Sequence, residues 1–173
     1  MSKDLGPICQ NGYIVKDIEK AMNEWIALGV GPWFYVENAI LDNFKYKGQP
    51  HNIEMKVALA NSGDVQIELI QQTNDVPSMY QDFLNSGREG FQHIAYWTED
   101  YDAMYQHLQD KGYDVVHEGQ IGGPQGRMAY FDSEHAVGIA IEISELAGSK
   151  KQIFDYIKKA SISWNGSKPI RKL

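Results

Sequence analysis

A chain of 173 residues, 43% hydrophobic and 12% aromatic, is long enough for one well-buried domain or for two small modules sharing a core. It has no apolar run near the roughly 18 residues that a membrane span needs, and the Met1-Ser2-Lys3-Asp4 start leads into a strand-like segment rather than a signal peptide, so a cytoplasmic location is expected. Net charge is −7, with Lys150, Lys151, Lys158, Lys159, Lys168, Arg171 and Lys172 set against Asp155 alone near the end; that stretch carries +6 and leaves −13 on the rest, which repels a phosphate backbone and excludes nucleic acid as the expected partner.

Ile8 to Val15 reads as a first strand, and Asp17 caps the helix that follows. Ile18, Ala21, Met22, Trp25 and Ile26 recur at helical spacing, and Gly29 supplies the stop. The single cysteine, Cys9, rules out an internal disulfide and reads as a small buried hydrophobe. Trp33 to Val36 is an aromatic strand, Ala39 to Pro50 a polar, irregular connection, and His51 to Ala60 with Asp64 to Gln71 a hairpin around Asn61-Ser62-Gly63. A linker over residues 73–89 holds a short helix near Ser78 to Leu84, with Pro77 before it.

The same order then begins again. Gly90 to Trp97 is a strand, Tyr101, Met104, Tyr105 and Leu108 mark a helix face, and Gly112 stops that helix. Tyr113 to His117, Arg127 to Asp132 and Val137 to Ser144 complete three more strands. A separation of 83 residues pairs Gln10 with His93, Gly12 with Ala95, Tyr13 with Tyr96, Asp17 with Asp100 and Gly29 with Gly112. In the last strands Glu68 and Glu142 match at a separation of 74. The expectation is an α+β fold of two tandem βαβββ modules, residues 1–72 and 90–146, forming a cup-shaped mixed sheet. A C-terminal helix and basic tail follow over residues 147–173, with Ile153, Ile157, Ala160 and Trp164 as the packed face of the helix.

Strand side chains alternate faces, so Ile67 and Leu69, like Ile141 and Ile143, point one way and the intervening glutamates point away from the helix-packed core. Small residues near them, Gly12, Ala95, Gly138, Ala140 and Ser144, describe a cavity floor. A pseudo-twofold relation between modules would bring Gln10, Glu68, His93 and Glu142 to one point. Two carboxylates, an imidazole and an amide oxygen suit a divalent metal with open positions. Each residue alone has a plainer structural reading; the repeat is what pairs them.

The doubled βαβββ, with Gln10-Asn11-Gly12-Tyr13-Ile14-Val15-Lys16-Asp17, Gln92-His93-Ile94-Ala95-Tyr96 and Ile141-Glu142-Ile143, resembles the vicinal oxygen chelate superfamily, and within it the glyoxalase-like branch that contains methylmalonyl-CoA epimerase. The resemblance implies a metal (Zn, Ni, Co, Mn or Mg) at Gln10, Glu68, His93 and Glu142. Gln10 stands where relatives commonly carry His, which argues against dioxygenase and fosfomycin-modifying chemistry. What is implied is an isomerase or epimerase moving a proton next to a carbonyl through a stabilised enolate, with an acyl-CoA as one candidate substrate. Glu142 is the expected base by similarity to glyoxalase I, and the epimerase resemblance puts His51, or nearby Glu54, at a second catalytic position.

Two alternatives stay open: a glyoxalase I-type lyase, and a non-catalytic drug-resistance-type protein gripping a planar ligand among Trp33, Phe34, Tyr35, Phe91 and Trp97. A homodimer acting on a small molecule is expected. The Gly122 to Gly126 loop reads as a mobile turn near the cup, and His107 and His117 as solvent-facing.

Overall fold

The computed structural model describes residues 3–173. The first module runs β1 (Gln10–Ile14), α1 (Ile18–Ala27), β2 (Trp33–Ala39), β3 (Asp42–Tyr46), β4 (Gln49–Pro50), β5 (Met55–Ser62) and β6 (Val65–Gln72). Helix α2 (Met79–Asn85) leads to β7 (Gly90–Thr98), α3 (Tyr101–Asp110), β8 (Val115–Gln120), β9 (Arg127–Phe131), the short α4 (Glu134–Val137) and β10 (Ala140–Glu145). The chain closes with α5 (Gly148–Ile162) and β11 (Ile170–Lys172). The fold is α+β, and no helix is long and apolar enough to cross a membrane among the described residues.

All strands join one sheet in the order β11-β2-β5-β6-β1-β7-β10-β9-β8-β3-β4. Read outward from the β1–β7 junction, β1, β6, β5 and β2 on one side match β7, β10, β9 and β8 on the other, with β3 and β4 an addition to the first module. That is the order a twofold axis between β1 and β7 generates. The equivalence extends to local chemistry: Asp17 accepts a hydrogen bond from the Lys20 amide at 3.0 Å and Asp100 from the Ala103 amide at 3.2 Å, each capping its helix. Gly29 and Gly112 both end their helices at φ 85°, a backbone conformation that strains any residue with a Cβ.

Alternation sorts the side chains. Ile67, Leu69, Ala58 and Ala60 pack with Ile18, Met22 and Trp33 beneath α1, while Ile141, Ile143 and Phe131 pack with Tyr101 and Leu108 beneath α3. The opposite face carries Val57, Leu59, Ile70, Met128 and Tyr130, joined by Tyr80 and Phe83 of α2 and Ile157 of α5. Thus α1 and α3 cover the outside of the curled sheet, and α2 and α5 lie over its inside.

Several local expectations need correction. Ala39 to Pro50 is not irregular: β3 buries Phe44 and Tyr46 and exposes Lys45, then turns through Lys47 (φ 48°) and Gly48 (φ 76°) into β4. Its ladder partner is β8, with Tyr46 opposite His117, so the pairing is far too distant in sequence to show locally. His117 is accordingly fully buried, not solvent-facing, with its ring 4.6 Å from Phe44, 4.8 Å from Tyr80 and stacked 4.8 Å from Tyr130. Strand β5 begins at Met55 and not at His51, and Gly138 caps α4 in the left-handed conformation, ahead of β10. Cys9 is half-buried.

Helix α5 has no side-chain N-cap, and its place depends on packing. Replacing Ile157 by Ala, at a fully buried position, is expected to lower the unfolding free energy by about 2–5 kcal/mol, read from the urea midpoint. An unchanged midpoint would mean that the helix contributes little to the cooperative fold.

Candidate metal centre

The junction of the modules positions the site. Strand β1 runs parallel to β6 and antiparallel to β7, and β7 runs parallel to β10. Register then lays out two rows across the four strands. One holds Glu68, Gly12, His93 and Ala140; the next holds Gln66, Gln10, Ala95 and Glu142. The twofold exchanges the Gly12–His93 pair with the Ala95–Gln10 pair. Glu68 beside Gly12 and Glu142 beside Ala95 are therefore equivalent, and both reach the ring of His93.

The distances bear this out. His93 Nε2 lies 3.4 Å from Glu68 Oε2 and 3.3 Å from Glu142 Oε2, and one ligand atom from each of the three residues falls within 4.8 Å of the others. The side chains are 0% (His93), 15% (Glu68) and 4% (Glu142) exposed. Gly12 leaves the room for this: a Cβ there would sit 1.8 Å from His93 Cε1 and 1.9 Å from Nε2. The imidazole lies on the backbone of β1, where only hydrogen fits. Small residues near the glutamates are thus not merely an open floor; Gly12 is occupied space.

The far side of the ring is held by Gln92, whose Oε1 is 2.8 Å from His93 Nδ1. Adjacent strand residues normally face opposite ways. Here Gly12 pairs with His93 and Tyr13 with Phe91, so Gln92 is the extra residue of a β-bulge that turns it to the site. An amide oxygen only accepts, so Nδ1 carries a proton, and Nε2 is the ring atom turned to the carboxylates. Gln10 Nε2 donates to Gln66 Oε1 at 2.8 Å, leaving the Gln10 oxygen uncommitted by that bond.

Among the described residues His93 Nε2 and Glu142 Oε2 are buried without a hydrogen-bond partner. Two carboxylates, one imidazole nitrogen and an amide oxygen around such orphaned atoms form a donor set that fits a divalent cation. Without one, the cluster holds itself by charge. Burial pushes the His93 imidazolium down, but the carboxylates of Glu142 and Glu68 facing its Nε2 prevail and hold its pKa up at about 9. Burial raises the Glu68 carboxyl against the pull of His93, while at Glu142 the His93 and Lys150 cations overcome burial and keep it below the usual carboxylate range.

Gln10, Glu68 and Glu142 line a cavity of about 210 Å³ on the inside of the sheet, together with Val57, Leu59, Ile70, Met128, Tyr80 and Tyr130. Ser144, Lys150, Ile153 and Phe154 close it from β10 and α5, and Gly122 from the glycine-rich loop. Tyr80 and Tyr130 bond hydroxyl to hydroxyl at 3.0 Å. Both halves of the cup come from one chain. His51 lies outside this lining, in an adjoining groove with Phe44 and Pro50, as does Glu54. Of the aromatic residues considered for a planar ligand, none lines the cavity: Phe91 is 47% exposed beside Tyr13, and Trp97 packs on Phe154.

Four contributors escape sequence reading. Gln66 shares the face of Glu68 and could have been found by alternation. Gln92 could not, because a bulge has no signature in its residues. Tyr130 sits opposite Glu142 across the β9–β10 ladder, a pairing that needs the register. Lys150 looked like one of many tail lysines.

Two outcomes follow from this geometry. Gly12→Ala is expected to destabilise the fold by about 1–3 kcal/mol in urea, because the ring must leave its place. A midpoint equal to wild type would show that His93 rests elsewhere. In excess chelator, the raised His93 pKa contributes stability that is complete below pH 6.5 and is lost as pH rises through about 9. Urea unfolding at pH 6 and pH 10 should differ by on the order of 3 kcal/mol from this group, the value at pH 6 being higher. A difference of opposite sign would contradict the charge arrangement.

With this geometry in hand, likeness to known proteins can be placed on it. The glyoxalase/bleomycin resistance protein/dioxygenase superfamily model matches residues 9–131. The structure of methylmalonyl-CoA epimerase from Mycobacterium tuberculosis is 24% identical, with a TM-score of 0.62, covering 88% of this chain and 96% of that one. A hypothetical protein from Bacillus halodurans is 18% identical with a TM-score of 0.58, covering 83% and 96%. Streptomyces coelicolor methylmalonyl-CoA epimerase in complex with 2-nitronate-propionyl-CoA is 19% identical with a TM-score of 0.52, covering 81% and 96%. No curated protein sequence matches the chain. These structures share the fold, and the match over residues 9–131, which covers most of both modules and three of the four strands at the centre, shows that the chain belongs to the glyoxalase/bleomycin resistance protein/dioxygenase superfamily.

Proposed function

We propose that the protein is a metal-dependent isomerase or epimerase that moves a proton at a carbon next to a carbonyl. The observation that carries this reading is the buried Glu68–His93–Glu142 cluster opening into a mostly apolar cavity beneath α2 and α5. In it Glu68, His93 and Glu142, with Gln10 beside them, hold a divalent ion. Bound there, the ion supplies Lewis acidity that makes a carbon acid beside a carbonyl easier to deprotonate.

The chain's own residues do the rest. Gln92 fixes the His93 tautomer, and Gln66 orients Gln10. Glu142 Oε2, without a hydrogen-bond partner and on the cavity wall, takes the proton and delivers it to a neighbouring atom. Inversion at the same carbon instead draws its proton from the opposite face, with Glu68 the second carboxylate on the lining. His51, the second candidate for proton transfer, lies in the adjoining groove, so this reading puts the mobile proton on Glu142. Val57, Leu59, Ile70 and Phe154 keep water from the site, which strengthens its electrostatics.

A glyoxalase I-type lyase would use the same centre with another substrate, and a non-catalytic binding protein would use the cavity without the chemistry. A cytoplasmic homodimer is part of the reading, although one chain builds the whole cup. The test combines metal analysis of the purified protein with deuterium wash-in at the α-carbon of 2-substituted free acids and acyl-CoA thioesters. A stoichiometric divalent ion is expected, with exchange that falls by roughly 10²–10⁴-fold in Glu142→Gln and disappears on chelation. Absence of both ion and exchange would leave the binding-protein reading instead.

A further inference from the structure

Helix α5 carries a residue that the fold does not require. Lys150 is 5% exposed and sits in the first turn, which contains no acidic residue. A cation there meets the positive end of the helix dipole. Its one hydrogen bond goes to Ser144 Oγ at 2.5 Å, and among the described residues no carboxylate forms an ion pair with it. An ammonium buried without a paired anion is costly, and an apolar residue would pack α5 more cheaply. Something other than stability keeps it there.

Burial pushes the Lys150 ammonium down, and the acids whose charge works against that are Glu142, Glu68 and Glu145. Glu145 is already held by Arg127, at 2.8 Å to Nε and 2.9 Å to Nη2. Glu68 and Glu142, with a neutral His93, balance a divalent ion on the reading proposed above, on which this inference rests. The centre is then neutral and the charge of Lys150 is surplus, with two of its three N–H donors unspent. The cavity it shares with Glu142 is about 210 Å³ and otherwise mostly apolar, below the roughly 300–1,000 Å³ of pockets for drug-sized ligands.

From the buried Lys150–Ser144 pair, the balanced charges around it and the small apolar cavity, we infer that Lys150 anchors a free carboxylate of the substrate, and that the part of the substrate held in the cavity is a small monoanionic acid with an apolar body and a second carbonyl. The carboxylate takes the two free N–H donors, the apolar body fills the space between Val57, Leu59 and Phe154, and the second carbonyl turns to the cluster with the carbon beside it facing Glu142.

Calorimetric titration of the metal-loaded full chain with butanoate, 2-methylbutanoate, 2-methylbutanamide and 2-methylbutanoyl-CoA tests this. The acids are expected to bind at least tenfold more tightly than the amide or the thioester. Lys150→Met should weaken 2-methylbutanoate roughly ten- to hundredfold and leave the amide within twofold. Its melting temperature should rise, since an apolar chain replaces a buried charge. Ser144→Ala, which only frees the ammonium, should weaken the acid a few-fold and serves as the second variant.

Equal binding of acid and amide, tighter binding of the thioester, no binding of either acid, or an acid affinity untouched by Lys150→Met would each overturn the anchor. If the protein takes up no divalent ion, the metal-centred reading falls and takes with it the charge balance that frees Lys150. If the ion is present and Lys150→Met changes nothing, the anchor falls alone.

Discussion

The contact between the His93 ring and the bare backbone of Gly12 is the constraint on which the rest of the site depends. It exists because β1 and β7 pair antiparallel at the junction of the modules, with Gly12 directly opposite His93. Each neighbouring strand then adds one carboxylate in register, Glu68 on one side and Glu142 on the other. Two acids from segments 74 residues apart meet without a loop to guide them. Sheet register alone does it, so the precision of the centre is that of a hydrogen-bonded ladder and not of a flexible connection.

Such a concentration of charge in an interior is expensive, and the structure meets the cost in layers. The imidazole lies between the two carboxylates, Gln92 holds its back, and the Gln10–Gln66 pair extends the polar row along the sheet. Around that strip the interior is apolar or aromatic. His117, packed among Phe44, Tyr80 and Tyr130, is kept neutral by burial and by the charge on His93, its pKa lowered to about 3. One charge is confined to the centre while the imidazole behind Tyr130 stays uncharged, so the wall of the cup does not compete for anions.

The repeat was legible in the sequence because both modules keep the same punctuation. Asp17 and Asp100 cap equivalent helices, Gly29 and Gly112 end them, and alternation places Glu68 and Glu142 on the inner face. Those signals are local in period, and a twofold operator needs little more to bring Gln10, Glu68, His93 and Glu142 onto adjoining strands. What stayed hidden was non-local. Strand β3 finds its partner in β8, which buries His117; the bulge at Gln92 is a property of the pairing; and Lys150 is told from its neighbouring lysines only by the helix face it shares with Ile157. Spacing from Lys150 to Phe154 and Ile157 carries that hint, but in a stretch so rich in cations it resembles a solvated surface.

Strand β11 has a consequence for how copies of the chain can meet. It lies parallel to β2, matching Ile170 with Trp33 and Lys172 with Tyr35, and so takes up the open hydrogen-bonding side of an aromatic strand. The sheet then terminates in three residues of β11 at one end and two of β4, one of them Pro50, at the other. Exposed strand edges are templates for further strands, and here both are too short to serve as one. Over Trp33–Tyr35 and Lys45–Tyr46 the backbone is already paired, so a strand from another copy would have to add on the outer side of β11 or β4. Side-chain surfaces offer association a broader footing, where partners can be matched by shape and charge.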